Sequence, residues 1–342
     1  MIWRSVSTRP TRRFTRPSRV VATAAPPTRP PMPELRIGPQ RLQVASGSNL
    51  LDELLADGQP VAWSCRSGHC QSCLVQAQPG QAPEAACSEL DPEQQAQGWL
   101  LACQCQVRQD MDLHLLDPAQ DGLPAQISRM EYLAENILLL GLRPERPLRY
   151  QAGQHLSLWL DAELARPYSI ASLPGEPELQ FHMALKAQGQ FSQRIQRMNI
   201  GERIYLGRAN GHCHYQSDWQ DRPLLLLGRG TGLSPLQAVA RDALKHGHRA
   251  AIELWHWHPE SGDCYLRSEL EKLAQAHPQT LRLHLHPQSQ LSSDMASLRL
   301  ASRHTLALVC GHPEFVEQWR KPLFMAGLPR RQVFDEAFVS RQ

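Results

Sequence analysis

Trp63-Ser-Cys-Arg-Ser-Gly-His-Cys-Gln-Ser-Cys-Leu74 sets three cysteines, Cys65, Cys70 and Cys73, into one short loop. A fourth, Cys103, follows in Leu101-Ala-Cys-Gln104 after 29 intervening residues. Three cysteines this close force the chain to wrap a compact object. Gly68 stands where such a loop needs an unusual backbone torsion and a close approach. The chain has nine cysteines. The odd count and the clustering favour metal ligation in a reducing compartment over disulfides. Cys105 competes with Cys103 for the fourth position, and Cys87, in the polar stretch Pro83-Glu-Ala-Ala-Cys-Ser88, reads as a bystander in a loop.

The spacing Cys-x4-Cys-x2-Cys with one distant cysteine resembles the plant-type [2Fe–2S] ferredoxins, in which four thiolates hold two irons and two sulfides. The Leu-Ala-Cys-Gln context resembles that pattern at Cys103, so the resemblance implies Cys65, Cys70, Cys73 and Cys103 as ligands and Cys105 as a buried neighbour. The flanking sequence is consistent with the family's β-grasp fold. Leu35-Arg-Ile37 and Arg41-Leu-Gln-Val44 around Gly38-Pro39 predict a hairpin. Ser46–Ser48 precede Leu50, Leu51, Leu54 and Leu55, the pattern of a capped helix. Leu74–Ala77 then predicts a strand. This first domain spans 34–116, and Leu115–Pro124, with its Pro, Gly and Asp, predicts an irregular linker over 117–124.

At 342 residues the chain has room for two or three domains, and 42% hydrophobic with 20% charged residues is ordinary for globular protein. No apolar run reaches membrane-spanning length. The formal charge of +3 includes seven arginines in residues 1–33, which hold no acid, so the rest of the chain carries −4. That excludes a nucleic-acid-binding body. Residues 1–33, rich in Pro, Ser and Thr, read as a disordered leader or a misassigned start. An Arg-rich, acid-poor leader is the composition of a transit peptide, but seven prolines oppose the amphipathic helix one needs, which favours Met32 as the true first residue.

Residues 125–221 predict a small antiparallel barrel from the alternating segments Ile137–Leu142, His155–Leu160 and Leu179–Leu185. Within it, Arg166-Pro-Tyr-Ser169 resembles the flavin signature of the ferredoxin-reductase superfamily. Tyr168 offers an aromatic face to an isoalloxazine, Ser169 a hydrogen bond to the flavin nitrogen that takes hydride, and Arg166 a charge for the pyrophosphate. Gly153-Gln154 matches the Gly-Gln that precedes this signature, and Gly189-Gln-Phe-Ser192 resembles the family's G-x-x-S, implying a phosphate contact at a helix start. Where family members carry Pro-x-Gly-x-Phe, this chain has Arg208-Ala-Asn-Gly-His-Cys-His-Tyr215.

Residues 222–342 open with Leu224–Leu227, a buried strand, followed by Gly228-Arg-Gly-Thr-Gly-Leu-Ser-Pro235 and a helix from Gln237. Strand, glycine-rich turn and helix place a pyrophosphate on helix N-terminal amides. Gly230, Thr231, Gly232, Ser234 and Pro235 resemble the family's loop for NAD(P)H. Its first glycine is replaced by Arg229, which either adds a phosphate contact or crowds the loop. Strands at Ala251–Trp255 and Leu281–Leu285 alternate with helices at Arg267–Ala276 and Glu314–Ala326, predicting a doubly wound α/β domain. Cys310-Gly311-His-Pro313 resembles the Cys-Gly-x-Pro whose thiol lies beside the nicotinamide carbon. Phe334-Asp-Glu-Ala-Phe338 resembles the C-terminal strand whose aromatic or acidic residues approach the flavin, with Phe338 the best match. His256 with His258, and His284 with His286, each put two imidazoles on one strand face; without a third ligand they read as polar strand-end residues. No arginine pair is present there for a 2′-phosphate, although Arg267 is within reach, so NADH is expected over NADPH.

The order of domains resembles the reductase components of multicomponent oxygenases, such as benzoate dioxygenase reductase. The resemblance implies an NAD(P)H oxidoreductase of multidomain α+β and α/β fold: a β-grasp [2Fe–2S] domain, an antiparallel β-barrel FAD domain and a doubly wound NAD(P)-binding domain. Ser169 and Cys310 would line the hydride path. The expected partner is a protein electron acceptor, an oxygenase or hydroxylase, served by a cytoplasmic monomer. Two alternatives are a cofactor-binding redox sensor with little turnover, to which Arg229 and the altered 210–215 segment point, and a reductase for a sugar-deoxygenation partner.

Overall fold

The computed structural model describes Met1 and residues 32–339; the leader expected over 1–33 falls almost entirely outside them. Three sheets follow one another along the described residues.

The first is a five-stranded sheet. β1 (Glu34–Ile37) and β2 (Gln40–Gln43) form the expected hairpin, with Gly38 at φ +55 in its turn. α1 (Leu50–Ala56) buries Leu50, Leu51 and Leu54 against Val75, Leu100 and Met111. Its cap is Asn49, whose side chain accepts the Asp52 amide at 3.3 Å, and not the serines at 46–48. Asn49 is better placed because the same side chain donates to the Cys103 carbonyl at 2.9 Å, tying the helix start to the fourth cysteine. β3 (Leu74–Ala77), α2 (Glu84–Cys87), α3 (Pro92–Ala96), β4 (Trp99–Leu101) and β5 (Met111–Leu115) complete the domain in the strand order β2-β1-β5-β3-β4. The parallel β1–β5 pair among antiparallel neighbours is the β-grasp arrangement expected. Cys87 departs from the loop reading: it ends α2 and is buried in the core.

The predicted linker is not irregular. Asp117 caps a short helix, α4 (Pro118–Asp121), and β6 already begins at Leu123. Proline at the first helical turn sacrifices no hydrogen bond, so the residues read as breakers start a helix instead.

β6 (Leu123–Ala134), β7 (Ile137–Pro144), β8 (His155–Trp159), β9 (Ala165–Ser169), β10 (Leu179–Ala184), α5 (Gln190–Ile195) and β11 (Arg203–Leu206) build the second sheet, ordered β10-β7-β6-β11-β8-β9. All pairings are antiparallel, and an Ile170–Phe181 bridge joins the two ends into a barrel. Two register shifts in β6 let one long strand curve round it. β8 is buried on both faces, and Trp159 at its end shares a small core with Ala165 of β9 and Ala62 of the first domain.

The third sheet is wholly parallel: β12 (Leu224–Arg229), β13 (Ile252–His258), β14 (Leu281–Pro287), β15 (Leu306–Gly311) and β16 (Val333–Ala337), in the order β14-β13-β12-β15-β16. Leu224 and Leu226 face α6 (Leu233–Lys245) and α7 (Arg267–Ala276). Leu225 and Leu227 share a core with α8 (Leu291–Ser297) and α9 (Pro313–Met325) on the other face. This is the doubly wound arrangement, with β12 at the topological switch where ligands bind. α6 begins at Leu233, earlier than the expected Gln237, because Pro235 is tolerated in a first helical turn.

Candidate functional site

In the cysteine loop Arg66, Gly68 and Gln71 take left-handed torsions at φ 55, 88 and 52. These bends turn amides inward. The Ser67 and Cys70 N–H groups donate to Cys65 Sγ at 3.4 Å, and the Cys65 N–H to Cys70 Sγ at 3.5 Å. Gln104 Nε2 donates to Cys103 Sγ at 3.2 Å and to the Arg66 carbonyl at 3.1 Å. The hydrogen bond from Cys70 draws Cys65 down to about 4, and that from Cys73 draws Cys103 down to about 7. Cys70 and Cys73 are pushed up by the same bonds and by burial. Paired sulfurs ringed by N–H donors are the donor chemistry of an iron–sulfur centre, so the residues fit the cluster. Cys105 is fully buried, its thiol pushed up to about 12 by desolvation, and its carbonyl accepts the Leu50 amide at 2.9 Å. It belongs to the core.

β9 presents Arg166, Tyr168 and Ser169 at one end of the barrel. Tyr168 packs on Phe191 at 5.4 Å between ring centroids. Ser169 Oγ donates to Glu336 Oε1 at 2.8 Å. Gly189 precedes α5, and Ser192 Oγ is occupied locally by the Lys186 amide at 3.0 Å.

At the nucleotide loop a Cβ on Gly232 would lie 2.0 Å from the Cys310 carbonyl oxygen, so only glycine lets the start of α6 meet β15. Gly230 takes φ +58. Ser234 Oγ, in the first turn of α6, is buried without a partner, an orphan that a nucleotide phosphate would satisfy. Arg229 turns away from the loop to Gln288 Oε1 at 2.9 Å, so it does not crowd the turn. His256 Nε2–H donates to the Gly230 carbonyl at 3.0 Å and burial lowers its pKa to about 4, so it supports the loop as a neutral ring. His284 stacks on Trp255 at 3.8 Å and His286 meets Asp294 at 2.8 Å.

These parts converge. A cavity of about 1130 Å³ is lined by Cys65, Arg166, Ser169, Thr231, Glu336 and Phe338, from all three sheets and their loops. It is large enough for a flavin with a nicotinamide beside it. The cysteine loop is seated on β8. Ser157 Oγ donates to the Cys70 carbonyl at 3.1 Å and lies 2.9 Å from Ser72 Oγ, and His155 Nε2 meets the His69 carbonyl at 3.3 Å. The other face of His155 lies 3.3 Å from Glu336. Burial opposes charge on this imidazole, but Glu336 outweighs it and holds the pKa above the ordinary value.

Three family models match in succession: a 2Fe-2S iron-sulfur cluster binding domain over residues 36–108, an oxidoreductase FAD-binding domain over 125–215 and an oxidoreductase NAD-binding domain over 226–321. The chain belongs to the ferredoxin-reductase superfamily. It is a three-domain reductase, an NAD(P)H oxidoreductase with sites for a [2Fe–2S] cluster, FAD and NAD(P)H. This reductase is similar to the reductase component of the naphthalene 1,2-dioxygenase system of Pseudomonas putida, 27% identical over 89% of this chain and 98% of the relative. It is also similar to the CDP-6-deoxy-L-threo-D-glycero-4-hexulose-3-dehydrase reductase of Yersinia pestis, 23% identical over 85% and 93%. Its fold matches the solved structure of an Amycolatopsis cytochrome P450 reductase, with a TM-score of 0.60, 24% identity, and 90% and 98% of the two chains covered. Among the described residues no helix is long and apolar enough to cross a membrane.

Glu336 and His155 were missed in the sequence reading of this reductase. Glu336 lay inside the quoted Phe334–Phe338 stretch, but nothing local distinguishes it from Asp335. Only β15–β16 register sets Glu336 opposite Cys310 and points it at Ser169.

Proposed function

We propose that this protein is the reductase component of an oxygenase or hydroxylase system, drawing on NADH and feeding a protein acceptor, with domains at 34–116, 125–221 and 222–342. The observation that carries the reading is the shared cavity onto which Cys65, Ser169 and Thr231 open. When bound, FAD takes hydride from NADH and releases electrons singly to the [2Fe–2S] cluster, which relays them to the acceptor.

The chain's own residues hold and orient these groups. Cys65, Cys70, Cys73 and Cys103 ligate the cluster. Arg166 neutralises flavin phosphate, with Gly189 and Ser192 shaping the turn beside it, and Tyr168 stacks on the ring. Gly230, Thr231, Gly232, Ser234 and Pro235 receive the nucleotide pyrophosphate, while Cys310, Gly311 and Phe338 border the nicotinamide. Ser169 is kept in one rotamer by Glu336, which is held in turn by His155. NADH is favoured over NADPH because Arg267, the one cation expected to reach a 2′-phosphate, is forked onto Asp263 at 2.6 Å and also pairs with Glu271. The oxygenase assignment rests on the similarity to the naphthalene dioxygenase reductase component.

Anaerobic mixing of the holoprotein with NADH tests this. Rapid bleaching of flavin and cluster bands together is expected. Bleaching of neither, or turnover far below that of a catalyst, favours the redox-sensor alternative.

A further inference from the structure

Cys310 and Glu336 have a third neighbour to which the electron-transfer reading gives no role. Cys213, in the segment where the chain departs from its family, brings its Sγ to 3.2 Å from Cys310 Sγ. Both are free thiols, 2% and 0% exposed. A carboxylate oxygen of Glu336 joins them, the three ligand atoms all lying within 4.8 Å of one another. Glu336 Oε2 is buried and has no hydrogen-bond partner, although Oε1 is engaged by Ser169. We propose that Cys213, Cys310 and Glu336 form a binding site for a soft divalent cation of the zinc type, and that occupation of this site blocks NADH oxidation.

The donor set selects the ion. Two sulfurs with one carboxylate suit zinc and its heavier congeners and disfavour magnesium or calcium. Zinc–sulfur bonds of 2.3 Å at a tetrahedral angle set two sulfurs about 3.8 Å apart, so this pair has to open by about half an ångström. Three protein ligands leave a fourth position, and Cys213 and Glu336 border the cavity, so that position opens to solvent or bound nucleotide. His155, 3.3 Å from the carboxylate, orients it from behind, as outer-shell histidines and carboxylates do for one another. Binding exchanges the two thiol protons for the metal, releasing about two protons per ion. The ion would bridge the segment at 213 to β15 and β16, across the approach to Cys310.

The metal site stands independently of the electron-transfer reading; the inhibition rests on hydride transfer occurring beside Cys310. The test uses the cluster- and FAD-loaded protein with Zn2+ held at fixed free concentration by a chelator. Bound zinc is measured after gel filtration, and NADH–ferricyanide turnover is followed in parallel. One zinc per chain is expected beyond the cluster, with unchanged cluster absorption and with turnover falling at the same half-point. Cys213→Ser is expected to weaken binding at least about 100-fold, more than the loss of an outer-shell partner, and to turn over normally in zinc. Glu336→Gln, read by binding alone, serves if Cys213→Ser does not load FAD. Equal zinc binding by wild type and both variants, or zinc uptake that bleaches the cluster, overturns the proposal. Binding lost in the variants while wild-type turnover ignores zinc supports the metal site and overturns the placement of hydride transfer.

Discussion

Replacing Gly232 by alanine tests the geometry of the nucleotide loop. The new Cβ would stand 2.0 Å from the Cys310 oxygen and 2.6 Å from its carbonyl carbon, both backbone atoms of a central strand. Ordinary contact distances require about 1.5 Å more, and neither β15 nor the start of α6 has a flexible side chain to yield. Overpacking of this kind costs about 1–3 kcal/mol, and a clash between two backbones belongs at the upper end. The loop must also retreat from the pyrophosphate, and losing one contact worth about 1.4 kcal/mol raises KM tenfold. Gly247→Ala, just beyond the other end of α6, is the control. Gly247 sits at φ +72 with open space around it, so that variant meets only the torsional cost of about 1 kcal/mol. Urea unfolding and NADH titration of the two variants should separate them: Gly232→Ala loses both stability and NADH affinity, Gly247→Ala only stability. Wild-type KM and stability in Gly232→Ala would refute the close approach of α6 to β15.

Two further outcomes follow from buried groups. Burial lowers His182, His248 and His256 from 6.5 to about 4. Between those values the unfolded chain binds up to about three more protons, so stability falls as pH drops through that window, by up to about 4 kcal/mol per pH unit. His155 acts in the opposite sense, since its raised pKa contributes stability below 6.5 that is lost as pH rises through the folded value. Urea midpoints at pH 7, 6 and 5 check this, and a flat profile contradicts it. Ser157→Ala should leave the Cys70 carbonyl and Ser72 Oγ unpaired in a buried interface, costing about 1–3 kcal/mol and slowing flavin-to-cluster transfer. Stopped-flow absorbance reads that step, and an unchanged rate with unchanged stability rules out β8 as the seat of the cysteine loop.

Much of the molecule was legible because its chemistry is local. The cysteine loop, Arg166–Ser169 and the Gly230–Gly232 turn each fit within one short segment, and spacing fixes which residues converge. Misreadings arose where one residue type has two uses. Proline at 118 and 235 begins helices, where breaker logic ends them. Asn49 outcompetes the two nearby serines as a cap because it also reaches Cys103. Cys87 lies in a polar sequence but is buried through packing with β4. Glu336, His155, Ser157 and Cys213 acquire their roles from residues 85 to 181 positions away, through strand register and domain contact. No local pattern carries that information.

The central claim is an order of electron flow, NADH to flavin to cluster to acceptor. Its most direct test is Cys70→Ser in the folded, flavin-loaded protein, assayed with two acceptors. The account predicts that cytochrome c reduction, which needs the cluster, is abolished while NADH–ferricyanide turnover through the flavin largely persists. Equal loss of both activities would contradict it.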